Sequence, residues 1–213
     1  MENDILSNLI QKKSIKGKIS KSNFIDIGTY KNINLVKSNF HKQFERPAAF
    51  LDRDGVINHD YGYVNKVKDF DLKPNVIKGL KYLNKKNYNI FIVTNQSGIA
   101  RGFFTEKDYL KFYKLIKNIF FKRKCYINDM QYCPYIKGAV VKKYDKMTKL
   151  RKPGNLMILN LMKKWFINKR QSFMIGDQLT DKLAANKSKL FFEYSSNNFY
   201  NQVKKIVFQL NKK

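Results

Sequence analysis

The chain has 213 residues, 43% of them hydrophobic and 15% aromatic, enough to bury one sizeable core and to exclude wholesale disorder. Its two cysteines exclude a disulfide framework and a metal quartet. No apolar stretch approaches the ~20 residues that span a bilayer, so the expected location is a reducing cytoplasm, with no membrane partner.

The net charge of +27 points either to an anionic partner or to coding bias. Arginine stands only at positions 46, 53, 101, 123, 151 and 170, and the remaining positive charge is lysine. Base and phosphate recognition leans on arginine forks, so coding bias is the preferred reading and nucleic acid is not the expected partner.

In chain order, residues 1–45 are polar, lysine-rich and weakly periodic, and read as an amino-terminal extension. Arg46-Pro47 marks the boundary, and residues 46–213 read as one catalytic domain. Within it, apolar runs alternate with helical patterns, which predicts an α/β fold with a parallel sheet between helices. The expected strands are 48–52, 89–94, 128–132, 172–176 and 189–193. The expected helices are 75–87, 104–122, 154–166, 178–187 and 197–209. Thr105, three residues before Asp108, announces the helix at 104–122, whose recurring aromatics read as core. Segments 53–70 and 133–152 read as loops at the carboxyl edge of the sheet, where open α/β folds bind ligands.

Four strand ends carry the chemistry. The first is Phe50-Leu51-Asp52-Arg53-Asp54-Gly55, where a spacing of two points both carboxylates the same way. One carboxylate can attack a phosphorus atom while the other protonates the leaving oxygen and later deprotonates water. Taken alone, the pattern also fits a turn with a capping aspartate.

The second strand end, Thr94-Asn95-Gln96-Ser97-Gly98, offers a hydroxyl and backbone N–H donors to a phosphoryl group. The third, Arg151-Lys152-Pro153-Gly154, places an ammonium just before a helix. The fourth, Gly176-Asp177, adds a hard oxygen. Asp52, the backbone carbonyl of Asp54, and Asp177 together can hold an octahedral Mg²⁺, with Asp181 supporting from behind.

These residues resemble the haloacid dehalogenase (HAD) superfamily over residues 46–209. The stretches Phe50–Asn58, Gly62-Tyr63-Val64, Thr94–Gly102 and Arg151-Lys152-Pro153 resemble its branch of D-glycero-D-manno-heptose 1,7-bisphosphate and histidinol-phosphate phosphatases. The resemblance implies a Rossmann-like fold with Asp52 as nucleophile, Asp54 as general acid/base, and Thr94 and Lys152 as phosphate stabilisers. It further implies metal at Asp52, Asp54 and Asp177, and substrate contacts at Arg53, Asp60, Tyr61, Gly62, Tyr63, Asn95, Gln96, Ser97 and Arg151. The expected reaction removes the 7-phosphate of a heptose 1,7-bisphosphate, with histidinol phosphate as the alternative and a nucleic-acid 3′-phosphate behind it.

Gaps of 42 residues from Asp52 to Thr94 and 58 from Thr94 to Lys152 leave no room for a large cap domain. Many members of the branch hold a structural zinc on Cys-Pro-His and Cys-x-Cys. Here only Cys133-Pro134 persists, with Tyr135, Thr148 and Leu150 at the other ligand positions. A single thiolate cannot hold a tetrahedral zinc, so a zinc-free loop ordered by packing of Tyr135 and Val140-Val141 is expected. Gln178 stands where the branch often has lysine.

In the extension, Phe24-Ile25-Asp26-Ile27-Gly28-Thr29 resembles the closing strand of sugar-phosphate nucleotidyltransferases, and equally fits a strand followed by a turn. The first reading implies a chain once fused to, or working beside, such an enzyme, and it favours heptose bisphosphate over histidinol phosphate.

Overall fold

The computed structural model describes residues 2–19, 27–34, 36 and 44–212. Two compact units are present, Met1–Gln43 and Phe44–Lys213. In the first, helix α1 spans Glu2–Gln11 and residues 30–34 are also helical, neither of which the weak periodicity had suggested. Phe24, Ile25 and Asp26, the core of the nucleotidyltransferase-like stretch, lie outside the described residues.

The second unit is built on five parallel strands, β1 (Ala48–Leu51), β2 (Asn89–Asn95), β3 (Asp129–Cys133), β4 (Phe173–Gly176) and β5 (Phe191–Tyr194). Their order across the sheet is β3-β2-β1-β4-β5. Strands β1, β2 and β4 are almost continuously apolar because they are central and covered on both faces, whereas the edge strands β3 and β5 are only half-buried.

Successive side chains alternate between two cores. Ala49, Leu51, Ile90 and Ile92 join Leu80, Phe112, Ile116 and Ile206 on one face. Ala48, Phe50, Phe91 and Val93 join Met157, Ile158, Leu161 and Ala184 on the other. The first face is covered by α2 (Val76–Lys85), α4 (Glu106–Lys122) and α7 (Phe199–Asn211), and the second by α5 (Leu156–Lys164) and α6 (Leu179–Lys187).

Each expected strand and helix of this unit is present, with ends that differ by a few residues. The short helix α3 (Ser97–Ala100), directly after β2, was not anticipated. Helix α4 starts as its sequence announces: the Asp108 N–H donates to Thr105 Oγ1 at 3.1 Å, and the Thr105 N–H returns a bond to Asp108 Oδ2 at 3.2 Å.

From β1 the chain winds outward to β2 and β3, then returns to the other side of β1 for β4 and β5. That reversal opens a crevice at the carboxyl ends of β1 and β4, and the four motifs end there. No helix among the described residues is long and apolar enough to cross a membrane.

Candidate active site

A cleft of about 570 Å³ lies over the strand ends, lined among others by Asp52, Asp54, Thr94, Arg151, Lys152 and Asp177. Asp60, Gly62, Tyr63, Asn95, Gln96 and Ser97 also reach it.

On its acidic side, carboxylate oxygens of Asp52, Asp177 and Asp181 lie within 4.8 Å of one another. Lys152 Nζ sits 2.7 Å from Asp52 Oδ2 and 2.6 Å from Asp181 Oδ1, and donates to the Val93 carbonyl at 2.9 Å. Burial alone would lower the Lys152 ammonium, but Asp52 and Asp181 outweigh it and hold its pKa up. Burial pushes the Asp52 carboxyl up to about 7; the Lys152 ammonium opposes that rise, and Asp181 and Asp54 add to it. Asp177 is also raised, chiefly by burial, although Gln178 Nε2 donates to its Oδ2 at 2.9 Å.

Two glycines permit this crowding. Gly55 takes φ +75°, and a Cβ there would collide with the Asp177 carboxylate; one on Gly176 would collide with Asp181.

Around Asp54 the surroundings are reversed. Its Oδ1 accepts from Arg53 Nε at 3.1 Å, Arg53 Nη2 at 2.8 Å and Asn58 Nδ2 at 2.9 Å. Its Oδ2 accepts from Arg53 Nη2 at 2.7 Å and Gln96 Nε2 at 3.1 Å. Gln96 Nε2 also donates to Thr94 Oγ1 at 3.0 Å, tying the carboxylate to the neighbouring strand end.

The structure therefore brings Asp52, Asp54, Thr94, Lys152 and Asp177 together, as the motifs suggested. It moves Asp181, expected only in support, into the carboxylate group itself, fully buried and paired with Lys152. Asn58 was passed over as a site residue although it ends the first motif; it is fully buried and bonded to Asp54. Gln178 and Thr180, at the start of α6, line the cleft as well.

Two expected substrate contacts are corrected. Arg53 is only 1% exposed: its guanidinium grips Asp54 and the Val64 carbonyl at 2.7 Å and lies over the rings of Tyr109 and Phe112, so it holds a carboxylate from within the core. Tyr61 is exposed outside the cleft, and its hydroxyl donates to Asp71 Oδ2 at 2.9 Å. Asn95 does line the cleft, but its amide is committed to the Lys152 backbone, donating to the carbonyl and accepting from the N–H, both at 3.1 Å. That pairing locks the Arg151-Lys152-Pro153 turn to the end of β2.

The loop after β3 is held by a carboxylate. Glu106 of α4 accepts from the Tyr132 hydroxyl at 2.7 Å and the Tyr144 hydroxyl at 2.8 Å, and the rings of Tyr135 and Tyr144 pack at 5.8 Å. Val141 packs against the core, but Val140 is 74% exposed and takes no part in the packing expected of it. Cys133 is fully buried, with its thiol directed to the Tyr135 carbonyl.

The fold and these strand-end groups define a phosphatase of the HAD type. The chain belongs to the polynucleotide kinase 3 phosphatase family, whose model matches residues 48–211. It is 40% identical over 144 residues to the D-glycero-beta-D-manno-heptose-1,7-bisphosphate 7-phosphatase of Photorhabdus laumondii, covering 68% of this chain and 77% of that protein. To the alpha-anomer 7-phosphatase of the same organism it is 38% identical over 134 residues, covering 63% and 73%. The crystal structure of the D,D-heptose 1,7-bisphosphate phosphatase of B. bronchiseptica, complexed with magnesium and phosphate, superposes with a TM-score of 0.67 at 18% identity, covering 76% of this chain and 99% of that one.

Proposed function

We propose that the chain is a magnesium-dependent phosphomonoesterase that removes the 7-phosphate of D-glycero-D-manno-heptose 1,7-bisphosphate through an aspartyl-phosphate on Asp52. The observation that carries the reading is the contrast between two carboxylates two residues apart, one facing an ammonium and two further carboxylates, the other enclosed by donors.

The donor set suits a hard divalent cation. Burial chiefly, with the neighbouring carboxylates adding, raises Asp52 and Asp177, so this crowded group resists full ionisation on its own. A magnesium ion held by Asp52, Asp177 and the Asp54 carbonyl would neutralise that charge and draw a phosphate oxygen to it.

In this scheme an Asp52 carboxylate oxygen attacks phosphorus. As the bond from phosphorus to the sugar oxygen breaks, Asp54 delivers a proton to that oxygen. Asp54 then takes a proton from water, the water oxygen attacks phosphorus, and inorganic phosphate leaves while the Asp52 carboxylate is restored. Lys152 and Thr94 balance the phosphoryl charge, and Arg53, Asn58 and Gln96 keep Asp54 aimed. Asp60, Gly62, Tyr63, Ser97 and Arg151, which line the cleft, would meet the sugar.

The relatives' substrates favour the heptose bisphosphate. A polynucleotide 3′-phosphate is the second reading, favoured by the family's description and the net charge of +27. Phosphate release with Mg²⁺ from the heptose bisphosphate, histidinol phosphate and a 3′-phosphorylated oligonucleotide separates them. The first should be hydrolysed with a kcat/KM at least about 100-fold above the others; preference for the oligonucleotide would reverse the assignment.

A further inference from the structure

Lys73, shortly before α2, and Ser195, just after β5, lie 122 residues apart and meet on a single backbone atom of the first motif. Lys73 Nζ donates to the Gly55 carbonyl at 2.8 Å and to Ser195 Oγ at 2.9 Å, and the Ser195 hydroxyl donates to the same carbonyl at 2.9 Å. Both lone pairs of that oxygen are thereby used. Among the described residues Lys73 has no ion-pair partner, so this half-buried ammonium is committed to the neutral oxygens of one turn.

The turn needs holding. Gly55 takes φ +75°, and without a Cβ a glycine adopts either sign of φ at little cost, so the peptides on its two sides are free to rotate unless something fixes them. On one side, the Gly55 N–H donates to the Asn58 carbonyl at 2.8 Å. That N–H and the Asp54 carbonyl share one rigid peptide plane, so the direction of the Asp54 carbonyl is set with it. On the other side, Lys73 and Ser195 hold the Gly55 carbonyl. Their own backbones are anchored: the Lys73 N–H donates to the Ile57 carbonyl at 3.0 Å, and the Ser195 N–H donates to the Gly176 carbonyl at 2.8 Å. Ser195 therefore joins the turn that follows Asp52 and Asp54 to the strand end that carries Asp177.

We propose that Lys73 and Ser195 are positioning residues for the divalent cation: by clamping the Gly55 carbonyl they keep the Asp54 carbonyl and the Asp177 strand end in the arrangement the ion requires. This rests on the magnesium reading given above, in which the Asp54 carbonyl is a ligand. Neither residue lines the cleft, so both act through the backbone. Partners behind metal ligands typically govern affinity by about 10- to 100-fold. Charge alone would act with the opposite sign, because removing a nearby ammonium relieves its repulsion of a cation and tightens binding.

The test titrates Mg²⁺ calorimetrically into the metal-free full chain as wild type, Lys73→Met and Ser195→Ala. Lys73→Met should weaken the Kd for Mg²⁺ about tenfold, and Ser195→Ala, which keeps the ammonium and removes only the hydroxyl, should weaken it by a smaller factor. The Mg²⁺ concentration giving half-maximal hydrolysis of p-nitrophenyl phosphate should rise in step. If the wild type takes up Mg²⁺ and Lys73→Met binds it equally well or more tightly, the clamp is overturned and the metal reading stands; a lower Tm alone would mark a role confined to fold stability. Should Lys73→Met fail to fold, Ser195→Ala decides: weaker binding supports the clamp and an unchanged Kd overturns it. A wild type that takes up no Mg²⁺ defeats the metal reading itself, and the proposal with it.

Discussion

Asp52 and Asp54 leave the same strand two residues apart, yet their surroundings have opposite character. Asp52 faces like charges relieved by one buried ammonium, whereas Asp54 sits in a cage of donors built from a buried arginine, an asparagine and a glutamine. The difference teaches that equivalent carboxylates acquire separate duties from what the neighbouring strand ends and the loop after β1 bring to them.

Removing the nucleophile should have the largest effect. Asp52→Asn is expected to lower kcat by about 10⁴-fold or more, with no hydroxylamine-labile phosphoryl-enzyme trapped by rapid acid quench. Asp54→Asn should cost about 10²- to 10⁴-fold, less for substrates with good leaving groups such as p-nitrophenyl phosphate, which need little proton donation.

Emptying the donor cage tests whether it acts by positioning. Arg53→Met leaves Asp54 without its bidentate partner, and breaking a buried pair costs about 3–5 kcal/mol. Urea unfolding should register that loss, and kcat should fall while KM for substrate stays close to wild type. A rise in KM alone would return Arg53 to the role of a substrate contact.

The acidic side also makes a pH prediction. In the metal-free protein the folded state holds the Asp52 carboxyl near 7, above its ordinary value of 3.8. The folded chain therefore binds more protons than the unfolded chain between those values, and stability falls as pH rises through that window. Mg²⁺ should raise Tm by a few degrees more at about pH 7.5 than at about pH 5, and Asp52→Asn should flatten that difference in scanning calorimetry.

The smallest effect is expected away from both carboxylates. Glu106→Gln weakens the acceptor that holds Tyr132 and Tyr144, for about 1–2 kcal/mol. Catalysis should change little, while the 133–152 loop becomes more open to proteolysis.

Much of the site was legible because Asp52, Thr94 and Asp177 each lie at the end of an apolar run, and a run followed by polar residues marks the carboxyl edge of a sheet. Lys152 was read instead from its place in a turn just before a helix. Arg53 could be placed by neither route, because its direction is decided by the Val64 carbonyl eleven residues on and by two rings of α4. Val140 and Val141 look alike as letters, yet only Val141 meets the core, its N–H bonded to the Ala100 carbonyl at 2.9 Å.

By itself the sequence determined the succession of strands and helices and the chemistry arriving at each strand end, since apolar periodicity and turn residues act over a few neighbours. Only the tertiary structure decided which charges share a space: Asp181 joined the acidic group, and Arg53 turned inward to Asp54. Those choices depend on groups distant in the chain whose electrostatic and packing energies act through space, and local pattern carries no record of them.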